Sequence, residues 1–225
     1  METALFSTSD RISNAQIDVL VVVFSLRESR LKVLLKPHQP ALWELPGLPL
    51  KPSVSLEDTA TRVLEVEISL REAYLEQLYT YGDPQRTTGN RVVSVVYFAL
   101  ISTGASRSIS AAGPSQWFPV DELPPMAMDH AGIIEYALRR LRYKLEYSAV
   151  GFQLLPEAFT LSELQRTYEI ILGEKIDKRN FRRRILDAGV IEPTSGLRTG
   201  EGRPARLYHY KPDAVAEVKA RRLFP

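Results

Sequence analysis

The sequence predicts a mixed α/β domain over residues 1–145, followed over 146–225 by a helix-turn-helix unit with a two-stranded ribbon. Three observations predict it. In the first part, Val- and aromatic-rich runs alternate with Pro/Gly turns and a few helix-period segments. Two short helical patterns then follow in succession, each with an N-terminal capping residue and a Gly stop. The charge balance reverses at the same place: residues 1–150 carry 15 Lys+Arg against 17 Asp+Glu, whereas residues 151–225 carry 14 against 10.

Taken in order, Ile17–Leu26 and Leu31–Lys36 are strand-like, and the polar turn Arg27-Glu28-Ser29-Arg30 joins them as a hairpin. Trp43-Glu44-Leu45-Pro46-Gly47 reads as a turn, because its Pro and Gly interrupt any regular element. Ser55 caps a helix with Asp58 three residues on, and good helix formers continue through Glu67. Leu75–Tyr81 and Arg91–Ile101 are again strand-like. The Pro/Gly segment from Tyr81 to Asn90 between them is a loop long enough to carry function. Trp117-Phe118-Pro119-Val120 forms a short strand, Pro124 and Pro125 interrupt regular structure after it, and a helix runs from about Ala131 to Lys144.

Beyond that helix, Thr160 and Glu163 make a capping box, and Leu161, Leu164, Tyr168 and Ile171 form one apolar stripe at helical spacing. After Gly173 the chain restarts at Asp177, a good N-cap, and a second helix runs to Gly189. Phe181 and Ile185 share one face of it, with Arg179, Asn180 and Arg183 opposite. Val190-Ile191 is strand-like, a Gly/Arg-rich loop spans Thr194–Pro204, and Ala205–Tyr210 is a second strand. This is the layout of a winged helix-turn-helix, whose second helix packs on one side and enters the major groove with the other. Arg198, Arg203 and Arg206 would be the wing's phosphate contacts.

Composition narrows the classes further. With 44% hydrophobic and 25% charged residues the chain is an ordinary globular protein, and the absence of cysteine excludes disulfides and thiolate metal sites. The longest apolar run, around Val19–Phe24, is too short to span a bilayer, which takes about 20 residues. Glu2 and Asp10 stand where a secretory signal would be basic, so the expected compartment is the cytoplasm. Five cations between Lys178 and Arg184 point to a polyanion partner.

Several short motifs in one order carry a family resemblance across nearly the whole chain. Thr160-Leu161-Ser162-Glu163-Leu164-Gln165, Asp177-Lys178-Arg179-Asn180-Phe181-Arg182-Arg183 and Gly202-Arg203-Pro204-Ala205 with Tyr208 resemble the Nudix-related transcriptional regulators called NrtR. So do Tyr81-Gly82-Asp83-Pro84 with Arg86, Arg91-Val92-Val93-Ser94-Val95, Trp117-Phe118-Pro119-Val120 and Met128-Asp129-His130. The resemblance implies an N-terminal Nudix fold, a mixed sheet between helices, followed by the winged helix-turn-helix. It also implies a dimeric repressor of NAD-synthesis or pyridine-nucleotide salvage genes, or sometimes of sugar-utilisation genes. The Nudix domain of such proteins typically senses ADP-ribose or a related nucleotide.

Nudix hydrolases use the signature G-x5-E-x7-R-E-U-x-E-E-x-G-U, where U is bulky and apolar, to gather carboxylates around a divalent metal. Mg²⁺ needs those hard oxygen ligands to offset the charge of a pyrophosphate. With the register set by Leu45-Pro46-Gly47 and Arg62, the acids fall on Val54, Val63, Val66 and Glu67, and the glycines on Leu48 and Ser69. Only Arg62 and Glu67 match as charged residues. Glu65 lies on another face of the helix from Glu67. The three valines are expected to pack against the sheet, leaving no catalytic residues, cofactor or metal site.

The regulator reading therefore stands ahead of two others: a nucleoside-diphosphate-sugar hydrolase with an accessory basic domain, and a repressor controlled by a partner protein. Candidate ligand contacts are Arg62, Arg86 and Arg91, as cations for phosphates, with Trp43 and Tyr81 to stack on adenine and Glu67 as the surviving acid. Phe98 is a further aromatic; it and Trp43 equally suit a core. Asp129-His130 either reports ligand occupancy across the domain boundary or is a helix N-cap with a surface His. For DNA, Arg179, Asn180 and Arg183 are candidates for base edges, and Lys178, Arg182, Arg198 and Arg203 for phosphate. The expected partners are a palindromic operator, a small-molecule effector and a second copy of the chain, with no membrane.

Overall fold

The computed structural model describes residues 15–87, 90–106, 113–199 and 204–211. Val19–Leu26 is buried without interruption, as expected of a strand covered on both faces. It lies in β1 (Gln16–Arg27), the centre of the sheet, and turns into β2 (Arg30–Gln39) through Glu28 and Ser29, whose φ values of 52° and 62° are those of a tight hairpin. β3 (Leu42–Glu44), β5 (Tyr74–Tyr81) and β6 (Val92–Ile101) complete the order β3-β2-β1-β6-β5. β4 (Gly47–Pro49) pairs with β1, and β7 (Gln116–Pro119) with β2. β1 and β6 run parallel and the other pairs antiparallel, which makes the sheet mixed.

Alternation along β1 and β6 assigns the two faces. Val19, Val21, Val23, Val95, Tyr97 and Ala99 pack under α1 (Leu56–Ile68), which contributes Ala60, Val63, Leu64 and Ile68. Leu20, Val22, Phe24, Val96, Phe98 and Leu100 face α3 (His130–Tyr147), which contributes Ile133, Ile134, Ala137 and Leu141; a one-turn α2 (Thr103–Ser106) follows β6. Trp43–Gly47 departs from the expected simple turn, since short strands form on both sides of Leu45-Pro46. Gly47 permits this: a Cβ there would lie 2.9 Å from the Val19 carbonyl oxygen, so only glycine lets β4 approach β1 so closely.

The second unit holds α4 (Leu161–Leu172), α5 (Lys178–Asp187) and the ribbon β8 (Ile191–Arg198) with β9 (Ala205–Tyr210). The capping box is present in both directions, Thr160 Oγ1 accepting from Glu163 N and Glu163 Oε2 from Thr160 N. Asp177 caps α5 by accepting from Asn180 N at 2.7 Å. β8 runs further into the expected loop than the strand-like pair Val190-Ile191, because cross-strand pairing resumes at Leu197–Arg206 after an irregularity beyond Pro193. Phe181 and Ile185 are buried as expected, against Leu164, Tyr168 and Ile171.

α3 is longer than the expected Ala131–Lys144, and its extra residues join the two units. The boundary expected between residues 145 and 146 falls in its last turn. Leu145 is buried beside Gly151 and Tyr168, so tightly that a Cβ on Gly151 would lie 2.8 Å from Leu145 Cδ2 and 2.9 Å from Tyr168 Cε2. One apolar core therefore runs from Leu20 of the sheet through α3 to Phe181 and Ile191 of the winged helix.

Candidate nucleic-acid interface and effector domain

α5 presents Lys178, Arg179 and Arg183 to solvent, while its apolar side is sealed in the core. Asn180 is half-buried and its Oδ1 accepts from Arg183 Nη2 at 3.0 Å, so these two candidate base-readers hold one another. Arg182 turns away from them and donates from Nη2 to Ser162 Oγ at 3.1 Å, at the first turn of α4. Together with Thr160, Lys178, Arg206 and Tyr208, these two residues line a cavity of about 500 Å³ with no carboxylate among the described residues of its wall. Such a cavity suits the phosphodiester backbone. Arg198 is bent back instead, donating to the Ala158 carbonyl at 3.0 Å and lying 3.5 Å from Glu163 Oε2, so its guanidinium is partly occupied within the fold. Arg203 lies outside the described residues. Ser162 and Tyr208 were not singled out as contacts by sequence reasoning, although Ser162 sits inside the capping box.

The box positions on and before α1 divide between core and surface. Val63 is buried and Val54 half-buried, but Val66 is 54% exposed, so it does not pack against the sheet as expected. A helix can turn only one stripe inward, and Val63 with Leu64 occupies it. Glu67 Oε2 accepts from the buried Ser115 Oγ, Glu57 Oε1 from Tyr97 Oη at 3.0 Å, and Glu65 pairs with Arg71 at 2.8 Å. Glu57, Glu65 and Glu67 thus each have a different partner, two of them hydroxyls of the fold and one the exposed Arg71. No cluster of three or more His, Asp or Glu side chains able to hold a metal occurs among the described residues. Ser69 takes the left-handed φ of 55° at the motif's final Gly position and still closes α1.

The six candidate ligand residues do not form one cluster, although Tyr81 and Arg86 meet, Arg86 Nη1 donating to the Tyr81 carbonyl at 3.2 Å. Arg62, exposed, and Glu67 belong to the α1 side. Tyr81, Trp43 and the buried Phe98 pack on the core of the α3 side, Trp43 edge-on to Phe118 at 4.6 Å between ring centres. Arg86 is 3% exposed and committed to internal partners, with Nε and Nη2 to Asp129 at 2.9 and 2.8 Å and Nη1 to Ser94 Oγ at 2.7 Å. Arg91 donates to the Gly82 carbonyl at 2.6 Å and so braces its own loop.

Residues 126–130 cross from Trp43 to Arg86. Met126 bridges Trp43, Ala127 N donates to the Trp43 carbonyl at 2.8 Å, and Asp129 meets Arg86. His130 is not the surface histidine expected; it is 1% exposed and its Nδ1 accepts from Leu45 N at 3.0 Å, which places its proton on Nε2. Burial pushes its pKa down from 6.5 to about 4. The unfolded chain therefore takes up a proton near pH 6.5 that the folded protein refuses until about 4, and stability falls as pH drops through that window. The expected loss is about 2 kcal/mol by pH 5. His130→Asn, which keeps an acceptor for Leu45, should flatten this pH dependence in urea unfolding at pH 7 and pH 5. An unchanged slope would remove His130 as its source.

Residues 151–210 match the NrtR DNA-binding winged helix domain, and residues 16–137 match the NUDIX domain. The chain is 35% identical over 199 residues to the ADPR responsive transcriptional repressor NtrR of Acinetobacter baylyi, covering 84% of this chain and 80% of that one. It belongs to the NrtR family. The crystal structure of Shewanella oneidensis NrtR complexed with a 27mer DNA matches with a TM-score of 0.79 at 36% identity, covering 92% of this chain and 96% of that one. A MutT/nudix family protein from Enterococcus faecalis, at 23% identity and a TM-score of 0.70 over 94% of this chain and 90% of that one, shares the fold. As in other NrtR proteins, the Nudix unit here is joined to a reader of DNA, and the chain is a regulator rather than a hydrolase. The placement of the whole NrtR architecture was legible in the motifs; the Ser115 and Tyr97 hydroxyls that occupy Glu67 and Glu57 carry no signal of their own.

Proposed function

We propose that this NrtR protein is a ligand-responsive transcriptional repressor of the cytoplasm. In this reading a dimer places two copies of α5 in successive major grooves of a palindromic operator, and ADP-ribose or a related nucleotide binds the Nudix domain and weakens that grip. NAD-metabolism genes are the proposed targets. The observation that carries the reading is the pairing of two altered surfaces on one core. Three of the four box acids of the Nudix unit are valine, and α5 presents Arg179 and Arg183 to solvent while Lys178, Arg182 and Arg206 line the nearby cavity. A pocket that does not consume its ligand can report that ligand's concentration. The name of the Acinetobacter baylyi relative, an ADPR responsive repressor, supports the same effector.

For the ligand to act it must prefer the DNA-incompetent arrangement, since equal affinity for both shifts nothing. A coupling of about 1–3 kcal/mol corresponds to roughly a 5- to 150-fold change in operator affinity, and operator must weaken ADP-ribose binding by the same factor. Calorimetry of ADP-ribose with and without operator tests both halves. Purified protein with Mg²⁺ or Mn²⁺ is expected to release no AMP from ADP-ribose above background. Metal-dependent turnover abolished by Glu67→Gln would reverse the assignment, and the absence of any heat with millimolar nucleotide would favour control by a partner protein.

A further inference from the structure

Arg86 and Asp129 stand 43 positions apart and join two segments with different tasks. Arg86 belongs to the turn at residues 83–87 that follows β5. Asp129 is the residue on which α3 begins. Their contact is a two-point fork, Nε to Oδ2 at 2.9 Å and Nη2 to Oδ1 at 2.8 Å, and the remaining Nη1 is taken by Ser94 Oγ and the Tyr81 carbonyl. The Arg86 side chain is 3% exposed and the Asp129 side chain 36%, so the guanidinium end of the fork is shielded from water, whereas the Arg30–Asp121 pair is open at both ends, 37% and 69% exposed. Burial pushes the Asp129 carboxyl up, but the hydrogen bonds and charge of Arg86 outweigh it and hold the group below the usual range.

A second feature shows that helix capping does not explain the pair. An Asp at the first position of a helix ordinarily turns its carboxylate onto the helix's own amide groups. Asp129 makes no such bond, and Met128 just before it takes the left-handed φ of 49° that side chains other than Gly seldom adopt. The chain thus forgoes a local cap and adopts an unfavourable backbone angle while the carboxylate faces Arg86. From there α3 continues without a break into the core of the winged helix, where Leu145 is wedged against Gly151 and Tyr168. At 1.5 Å per residue the helix is about 27 Å long, so a tilt of about 5° at Asp129 moves its far end by about 2 Å.

We propose that Arg86 and Asp129 are a positioning pair that fastens the turn at residues 83–87 to the start of α3, through which an effector seated on the Nudix domain changes the setting of the winged helix. The pair acts by holding α3; it is not itself the reader of the effector or of DNA. The proposal rests on the ligand-responsive reading, and its test separates the two. Full-length parent, Asp129→Asn and Arg86→Lys are compared. Asparagine keeps the shape and one acceptor but loses the charge, and lysine keeps the charge but loses the fork.

Two measurements are made on each protein: operator affinity with and without saturating ADP-ribose, and amide hydrogen exchange of the full chain without ligand. In the parent, ADP-ribose lowers operator affinity by roughly 5- to 150-fold. In both variants that ratio is expected to collapse to within about twofold, while calorimetry without DNA shows ADP-ribose still bound. Exchange is expected to speed up together at 83–87 and 130–134. Variants that keep the parent's ratio overturn the positioning role. If the parent itself shows no response to ADP-ribose, the sensor reading fails, and the exchange experiment decides the pair by itself. Unchanged exchange at both segments overturns it, and joint acceleration sustains it for another effector. Should Asp129→Asn not fold, Arg86→Lys carries the same comparison.

Discussion

Arg179→Ala and Arg183→Ala are each expected to weaken binding to a selected operator by about 1–3 kcal/mol, roughly 5- to 150-fold, and to relax sequence preference at one base pair. Both side chains are exposed on the outer side of α5 and neither is paired with a carboxylate among the described residues. An arginine free to present its fork can donate twice to guanine in the major groove. Arg183 is already steadied by Asn180 Oδ1 at 3.0 Å, so Asn180→Ala is expected to act partly through Arg183. The contrast is Lys178, on the wall of the cavity that Arg182 and Arg206 also line. Lys178→Ala should weaken all DNA about equally and lower the salt slope by about one. Binding titrations on operator and scrambled duplex at several salt concentrations separate these cases. If both arginine variants bind the operator as tightly as the parent, α5 is not the recognition helix.

Phe181→Ala is expected to be the most damaging single change, costing about 3–5 kcal/mol. Phe181 is 1% exposed and meets Tyr168 edge-on with ring centres 5.7 Å apart, and Tyr168 in turn closes against Gly151 and Leu145. Removing the ring leaves a cavity at the point where α5 rests on α4 and α4 rests on α3. The rigid packing there cannot collapse without moving α5 away from the wing. Urea unfolding should show the loss across the whole cooperative transition, because the core continues from the winged helix into the sheet. A loss below about 1 kcal/mol, or one confined to a separate transition of the winged helix, would mean that the junction is looser than its geometry.

The elements and their order were legible because local rules and the tertiary outcome agree. The Ser55 and Asp177 caps and the reciprocal Thr160–Glu163 box are contacts between residues near in sequence, and the apolar run Val19–Leu26 is a local composition, so spacing and run length announce them. The loss of the carboxylate box was legible for the same reason, since the register of one helix places Val54, Val63 and Val66 where acids belong. Where these signals failed, a distant partner had intervened. Gly47 makes strands on either side of a turn because β1 lies against it, and Val66 faces solvent because a helix has only one inward stripe.

What the sequence determined by itself was therefore the class of each part: a Nudix-type sheet and helices without their acids, and a capped basic helix ahead of a ribbon. Period, capping and charge sign are properties of short segments and survive in the one-dimensional text. The tertiary structure alone decided the partners of the charges. Arg86 is as polar as Arg179, yet one is buried on Asp129 and the other is open to solvent; helical spacing marks the outer face for Arg179, but nothing near Arg86 announces a partner 43 positions away. It likewise turned His130 into a buried acceptor for Leu45, 85 positions away, and bent Arg198 back onto α4. The free energy of a charge depends on its solvent exposure and on what lies within a few ångströms, and in a folded chain those neighbours come from anywhere in the sequence.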